Sequence, residues 1–263
     1  MGFFDRLAER IDARSSVLCV GLDSERGRLP EHLLDEELPR WAFNRRIIDA
    51  THDLVAAYKP NVAFYEDADG WRSLEETIAY AHGKGVPVVL DAKRGDIGNT
   101  ARQYARLVDL ADAITVNPLL GRDSLEPFLQ RAGAGVFVLC RTSNPGAADV
   151  QGLTLAEGDA LYERLATLAE VWDRHGNVGL VVGATAPDEL ERVRELAPSL
   201  PFLVPGVGSQ GGDLEAAVEF GLADGVGLVN ASRSVIFAGD GGGFDAAARS
   251  EAKRLRRALE RAA

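Results

Sequence analysis

Two carboxylates and one ammonium group fall within a short segment, directly after an apolar run. The run VPVVL leads into Asp91-Ala-Lys93-Arg-Gly-Asp96. Residues two apart on an extended strand share a face, so Asp91 and Lys93 are predicted to point the same way. Gly95 permits a sharp turn that would return Asp96 to the same place. A lysine between two carboxylates keeps its proton, which predicts a fixed cation and proton donor.

This cluster has more than one interpretation when it is taken alone. Buried ion pairs can stabilise a strand end without doing chemistry, and a lone Asp-x-Lys favours that interpretation. A class I aldolase would use Lys93 as a Schiff-base nucleophile. The flanking Asp91 and Asp96 oppose that role, because such a nucleophile must lose its proton. The position of the cluster in the fold therefore decides between chemistry and stability.

Short apolar runs alternate with helical patterns along the whole chain, which predicts a parallel sheet covered by helices. Eight units in 263 residues predict a (β/α)8 TIM barrel that forms a single domain over residues 1–263. A doubly wound open sheet is the alternative, but its Gly-x-Gly-x-x-Gly turn is missing after the first strand. The predicted strands are 17–22, 56–62, 86–91, 113–117, 135–140, 178–183, 201–206 and 225–230.

Active sites of such barrels lie at the carboxyl ends of the strands, so these ends are compared one by one. Asp23 follows strand 1, Lys59 lies at strand 2 and Ser143 follows strand 5. The chain has four lysines, and two of them, Lys59 and Lys93, fall at these ends. With Asp23 and Lys59 on neighbouring strands, a catalytic cluster is favoured over a purely stabilising one.

A second group of residues follows strands 7 and 8. The glycine-rich loop PGVGSQGGD occupies 205–213, and NASRS carries Arg233 after strand 8. This fold commonly binds phosphate there, through backbone N–H groups and a bidentate arginine. The two segments therefore predict a phosphate site.

Composition excludes several classes of function. The net charge of −11 disfavours a nucleic-acid polymer or an anionic membrane as partner, and no apolar run reaches the roughly 18–20 residues of a membrane span. Cys19 and Cys140 lie in apolar runs without a CxxC motif, which together with the lack of a signal-peptide core predicts a cytoplasmic protein. A histidine-based metal site or triad is not expected, because the histidines lie away from the strand ends: 32, 52, 82 and 175.

These motifs together resemble the orotidine 5′-phosphate decarboxylase family. Asp91-Ala-Lys93-Arg-Gly-Asp96 matches the family signature D-x-K-x-x-D. The match extends to GLD and YKPN before it and to TSNPGA (142–147) and PGVGSQGGD after it, so it covers nearly the whole chain in order. TSNPGA and FYE look like the longer bacterial branch of that family. The chain departs from many relatives in reading Ser232-Arg233 where Gly-Arg is expected. The signature alone is shared with sugar-phosphate enzymes on the same barrel.

The resemblance implies that orotidine 5′-phosphate is converted to UMP and CO₂, the last step of de novo pyrimidine synthesis, without a metal or organic cofactor. It implies a homodimer in which Asp96, Ile97 and Thr100 reach into the partner's site. Lys93 would stabilise and protonate the C6 carbanion, and Asp91 would lie near the departing carboxylate. The implied substrate contacts are Asp23, Lys59 and Thr100 for the ribose, Ser143 for the pyrimidine, Gln210 and Arg233 for the phosphate, and Pro205 and Ser232 as further binding positions.

Two alternatives to this activity stay open. A Mg²⁺-dependent 3-keto-sugar-phosphate decarboxylase or hexulose-phosphate synthase uses the same barrel, but it needs an acidic ligand near the end of strand 2, where Lys59 stands. A barrel that binds nucleotides without catalysis is the second alternative. It has no need of Asp91, Lys93 and Asp96 together.

Overall fold

Eight parallel strands form the centre of the molecule in a computed structural model that describes residues 1–207 and 211–262. The strands are β1 Leu18–Gly21, β2 Ala57–Lys59, β3 Val89–Arg94, β4 Ala113–Val116, β5 Gly135–Arg141, β6 Val178–Val182, β7 Phe202–Pro205 and β8 Leu228–Ala231. Their order in the sheet is β2-β1-β8-β7-β6-β5-β4-β3. Single bridges from Tyr58 to Val88 and from Asn61 to Asp91 join β2 to β3, so the sheet closes on itself. The predicted (β/α)8 barrel is confirmed.

Each predicted strand is present with shifted bounds, and the shift in β3 affects the site. β3 continues to Arg94, so Asp91 and Lys93 lie within the strand rather than at its end. β8 begins at Leu228 instead of 225, because Ala223 and Val226 pair with each other in a separate tight turn. The strands are apolar on both faces because helices cover the outside and side chains fill the inside.

Helices form the outer layer. Proline stands in the first turn of α2 and α7, where no backbone N–H is needed, and Asp213 caps α8 by accepting the Ala216 N–H at 3.0 Å. The helices are α1 Phe3–Arg14, α2 Pro39–Thr51, α3 Gly70–Gly83, α4 Gly98–Ala105, α5 Arg122–Leu129, α6 Leu161–Trp172, α7 Pro187–Leu196, α8 Leu214–Glu219, α9 Arg233–Ile236 and α10 Phe244–Ala262. Within the described ranges, no helix is both long and apolar enough to cross a membrane.

The amino end of the barrel is filled by α1. Phe3 and Phe4 pack edge-to-face on Phe137 of β5, with ring centroids 6.1 and 5.5 Å apart. Gly135 is required there, because a Cβ would lie 2.3 Å from the Phe3 ring. Arg10 ties the same helix to the backbone carbonyls of neighbouring loops. With this end packed in the described part of the chain, a ligand approaches the barrel axis from the opposite end, the carboxyl rim.

Both cysteines are buried and free, as the sequence predicts. Burial raises the pKa of the Cys19 thiol to about 12, which outweighs the opposing effect of Lys59. Burial likewise raises the pKa of the Cys140 thiol. Neither thiol is therefore a nucleophile at neutral pH, and both act as small apolar side chains.

Candidate active site

The Asp91 carboxylate is the centre of the charged group at the carboxyl rim. The Lys59 ammonium donates to Asp91 Oδ2 at 2.8 Å, and the Lys93 ammonium donates to Oδ1 at 2.6 Å. The Thr115 hydroxyl also donates to Oδ1, at 2.8 Å. Asp91 and Lys59 are buried, whereas the Lys93 side chain is 45% exposed. Lys93 is therefore the most exposed member of this group at the rim.

The charges of Asp91 and Lys59 support each other against burial. Burial alone raises the pKa of Asp91, but the Lys59 and Lys93 ammonium groups outweigh it and hold the pKa well below its usual range. Burial alone lowers the pKa of Lys59, but Asp91 and then Asp23 raise it above its usual value. Both groups are therefore ionised at neutral pH, and they place fixed charge inside a poorly solvated space.

The end of β3 departs from regular pairing, and the departure shapes the site. Leu90 pairs with Ile114 and Arg94 pairs with Val116, so 91–93 lie opposite the single residue Thr115. Lys93 has a left-handed backbone with φ +48°, and its N–H donates to Thr115 Oγ1 at 2.9 Å. The bulge brings the Lys93 ammonium to the Asp91 carboxylate and the Lys93 backbone N–H to the Thr115 hydroxyl.

Gly95 is needed for a different reason from the one the sequence suggests. A Cβ at this position would lie 2.6 Å from the Asn117 carbonyl oxygen, whereas the Gly95 backbone is not left-handed. Among the described residues, Asp96 forms no ion pair with Lys93 of the same chain. Asp96 Oδ1 instead accepts the Ile97 N–H at 2.7 Å, and the ion pair that Lys93 forms in the described part of the chain is with Asp91. Glycine at position 95 therefore allows the end of β3 to approach the backbone after β4 closely.

Ile97 and Thr100 extend from the rim rather than into it. The Ile97 side chain is 60% exposed, and Thr100 lies exposed in the first turn of α4. Asp96, which precedes them, is half-buried. The described partners of the Asp91 carboxylate are Lys59, Lys93 and Thr115, and none of these three residues is among them.

Two hydrogen-bond acceptors at the rim, next to β1 and on β8, have no donor among the described residues. Asp23 Oδ1 and Asn230 Oδ1 are buried and accept no hydrogen bond from any described residue. Asn230 is 6% exposed, and its Nδ2 donates to Ser232 Oγ at 3.4 Å. Leaving buried acceptors unpaired costs free energy, so such atoms are typical of a surface that binds a polar ligand.

Ser232 fits beside β1 because position 21 is glycine. A Cβ on Gly21 would lie 1.8 Å from Ser232 Oγ. The Ser232 side chain is therefore accommodated by space on the neighbouring strand. Arg233 follows it as the first residue of α9, and its side chain is exposed at the rim.

The predicted phosphate loop begins at Pro205, which pairs with Asn230 across β7 and β8. Gly212 donates its N–H to the Gly206 carbonyl at 3.1 Å, and a Cβ on Gly212 would lie 2.8 Å from Ala184. Both ends of the loop therefore lie against the barrel. Pro205, at its start, is on the strand next to β8, which leads into Ser232 and Arg233. Gln210 lies outside the described residues.

Ser143 lies on the rim between β5 and β6. The Thr185 hydroxyl donates to the Ser143 carbonyl at 3.1 Å, and a Cβ on Gly183 would come 2.8 Å from Ser143 Cα. This close approach of two strand ends needs glycine at position 183. Ser143 is half-buried at the mouth of the barrel, across the sheet from β1 and β2.

Sequence reasoning missed Thr115, Asn230 and the Arg94–Glu66 ion pair. Arg94 Nη2 donates to Glu66 Oε1 at 2.8 Å and ties the end of β3 to the loop after β2. A polar residue inside an apolar strand was the signal available for Thr115 in AITV and for Asn230 in LVNA. Thr115 lies inside its strand, away from the strand ends, and Asn230, the last residue of the predicted strand 8, was given no role beside Arg233.

The fold and the rim together define a class: a (β/α)8-barrel protein with a lysine–carboxylate site at the carboxyl ends of its strands. Residues 16–243 match the family described as "Orotidine 5'-phosphate decarboxylase / HUMPS family". The chain belongs to this family.

Relatives and solved structures agree over almost the whole chain. A Haloarcula marismortui protein named orotidine 5′-phosphate decarboxylase is 67% identical over 98% of this chain and 99% of its own length. The structure of Leishmania donovani OMP decarboxylase is 45% identical, with a TM-score of 0.84 over 100% of this chain and 98% of that chain. Leishmania donovani UMP synthase is 46% identical, with a TM-score of 0.85 over 99% of this chain, but this chain spans 57% of its length.

Proposed function

We propose that the chain, as one domain over residues 1–263, is an orotidine 5′-phosphate decarboxylase that forms UMP and CO₂ in pyrimidine biosynthesis. The observation that carries the proposal is the Asp91 carboxylate held between the Lys59 and Lys93 ammonium groups, with Lys93 facing the open rim. Relatives that bear this name and span the same length support it. We place the activity in the cytoplasm.

The chemistry follows from charges that are fixed before the substrate arrives. Loss of CO₂ leaves a carbanion in the plane of the pyrimidine ring, which the ring carbonyls cannot delocalise. The Lys93 ammonium stabilises that charge and delivers the proton to C6. Asp91 lies beside the departing carboxylate, and its repulsion falls as CO₂ leaves. Lys59 keeps Asp91 ionised, and no metal or organic cofactor takes part.

Substrate contacts are assigned around that centre. Binding energy from the remote phosphate holds the reacting carboxylate against Asp91. Asp23, Lys59 and the partner's Thr100 hold the ribose, Ser143 holds the pyrimidine, and Gln210, Arg233, Pro205 and Ser232 surround the phosphate.

A homodimer completes the site. Ile97, Leu119 and Leu120 are exposed apolar residues after β3 and β4, and they offer a surface for a second copy of the chain. Among the described residues, Asp96 forms no ion pair with its own Lys93, which supports its entry into the partner's site beside Ile97 and Thr100.

Mixing inactive variants tests the shared site. Lys93→Ala and Asp96→Asn are each inactive alone, and reassorted dimers recover about a quarter of wild-type activity, because half are mixed and each holds one native site. Mixing Lys93→Ala with Asp91→Asn is the matched control, since both changes affect the same chain's half of the site. Recovery in the control, or none in the test, would contradict the assignment of Asp96 to the partner.

The activity itself is tested by the loss of orotidine 5′-phosphate absorbance in EDTA and again with Mg²⁺. Turnover that is equal in both conditions supports the proposal. Turnover of sugar phosphates only with Mg²⁺ would assign the chain to the metal-dependent members of the family. Binding of UMP without turnover of either substrate would indicate a non-catalytic barrel.

A further inference from the structure

Thr115 connects the two charged residues of β3 through a single hydroxyl group. Its Oγ1 accepts the Lys93 backbone N–H at 2.9 Å and donates to Asp91 Oδ1 at 2.8 Å. Thr115 is fully buried on β4 between Ile114 and Val116, which are apolar. It does not reach the open rim, so it acts through the two residues that it contacts.

The bulge in β3 explains why this hydroxyl is needed. Since 91–93 lie opposite Thr115 alone, the regular ladder offers no backbone acceptor to the Lys93 N–H, and the side chain supplies one. The Lys93 backbone is left-handed at φ +48°. A lysine in that conformation is strained and persists only where its surroundings hold it.

The direction of the hydrogen bonds is fixed by chemistry. The Lys93 N–H can only donate, so the one proton of the Thr115 hydroxyl goes to Asp91. That proton and the Lys93 ammonium share Oδ1, while Lys59 occupies Oδ2. The carboxylate is thereby prevented from rotating. Serine can make both bonds, whereas valine has the shape of threonine and makes neither.

We propose that Thr115 is a positioning residue, which sets the orientation of the Asp91 carboxylate and the backbone of Lys93 for the decarboxylation. This inference rests on the proposed function. Misplacing a reacting group by about 1 Å costs on the order of 100-fold in rate, without an equal loss of substrate binding. The phosphate and ribose contacts lie on other strands, so Thr115 affects turnover rather than affinity.

The test compares Thr115→Val with Thr115→Ser. In Thr115→Val, kcat falls about 10- to 100-fold while KM stays within about threefold, and Thr115→Ser keeps kcat within about threefold of wild type. Thr51→Val is the matched control: Thr51 is also buried with two hydrogen bonds, to Ile47 and Tyr58, but it lies on α2. It loses stability and keeps kcat. If Thr115→Val does not fold, Thr115→Ala takes its place.

Crystal structures give a readout that does not depend on activity. In Thr115→Val or Thr115→Ala, the Asp91 carboxylate rotates and the Lys93 φ leaves the left-handed region. Unchanged geometry would overturn the proposal, and so would unchanged kcat in an active enzyme, or an equal loss of kcat in Thr115→Ser. A wild-type protein that does not turn over orotidine 5′-phosphate would instead refute the proposed function and leave the geometric test in place.

Discussion

The two ends of the barrel each hold an aspartate with three partners, and the partners differ in kind. At the carboxyl rim, Asp91 binds two ammonium groups and a hydroxyl from the barrel interior. At the amino end, Asp112 contacts Arg6 Nη2 at 3.2 Å, His82 Nε2 at 2.8 Å and the Val88 N–H at 2.9 Å. These come from α1, α3 and the segment before β3, so Asp112 joins separate elements of the fold.

The other residues at the two ends of the barrel differ in the same way, with packing at the amino end and polar groups at the carboxyl rim. The amino end is packed with the aromatic rings of α1, whereas the carboxyl rim keeps unpaired acceptors on Asp23 and Asn230 and a left-handed lysine. Strain and unpaired polar atoms reduce stability, and at the rim a bound ligand can offset that cost. The packed amino end therefore serves stability, and the carboxyl rim offers the groups that bind a ligand and do chemistry.

Lys93→Ala has the largest expected effect, because it removes charge from the rim and leaves the rest intact. We expect kcat to fall by about a thousandfold or more, because one preorganised electrostatic group contributes up to about a thousandfold and the proton donor is lost with it. The melting temperature stays close to that of wild type, since the side chain is half-exposed and Asp91 keeps Lys59 and Thr115. Lys253→Ala, on the exposed face of α10, is the control. Near-wild-type turnover by clean Lys93→Ala would refute the mechanism.

Arg233→Ala comes next and distinguishes binding from chemistry within the rim. We expect KM for orotidine 5′-phosphate to rise about 10- to 100-fold, because one charge-assisted hydrogen-bonding group to the phosphate is lost. Steady-state kinetics with orotidine, which lacks the phosphate, supply the check: wild type and variant should then be equal. A difference that persisted with orotidine would place Arg233 outside the phosphate site.

The sequence predicted the barrel well, because strands that are buried on both faces leave long apolar runs separated by helices. It also predicted that charged residues cluster at the carboxyl rim, since each of them follows such a run. The filling of the amino end by α1 was not predicted. Phe3 and Phe4 pack on Phe137, which is more than a hundred residues away along the chain, and no local pattern records that contact.

Details within the rim depend on register, which the sequence does not specify. The bulge places 91–93 opposite Thr115, and only this register makes the threonine a partner of both charged residues. The need for glycine at position 95 depends on the same pair of segments, because a Cβ there would lie 2.6 Å from the Asn117 carbonyl oxygen after β4. Both features come from pairing between β3 and β4 rather than from either segment alone.

Asp112→Asn is the counterpart of Lys93→Ala at the amino end, and its effect is the smallest. We expect the free energy of unfolding to fall by about 1–3 kcal/mol, because an amide replaces a carboxylate that binds a cation and a backbone N–H. The value of kcat should not change. Denaturant unfolding and kinetics of the same preparation measure both quantities, with Asp35→Asn, an exposed loop residue, as the control. A large loss of kcat would show that the two ends are coupled.

The stability that Asp112 contributes should also depend on pH. Burial raises the pKa of this carboxyl, but hydrogen bonds from His82 and the Val88 N–H outweigh it and hold the pKa below its usual value. A carboxyl with a lowered folded-state pKa stabilises the fold above its unfolded pKa of about 4, and the contribution is lost as the pH falls through the folded value. The difference between wild type and Asp112→Asn should therefore be largest near neutral pH and shrink below about pH 4. A difference that grew on acidification would mean that the carboxylate destabilises the amino end.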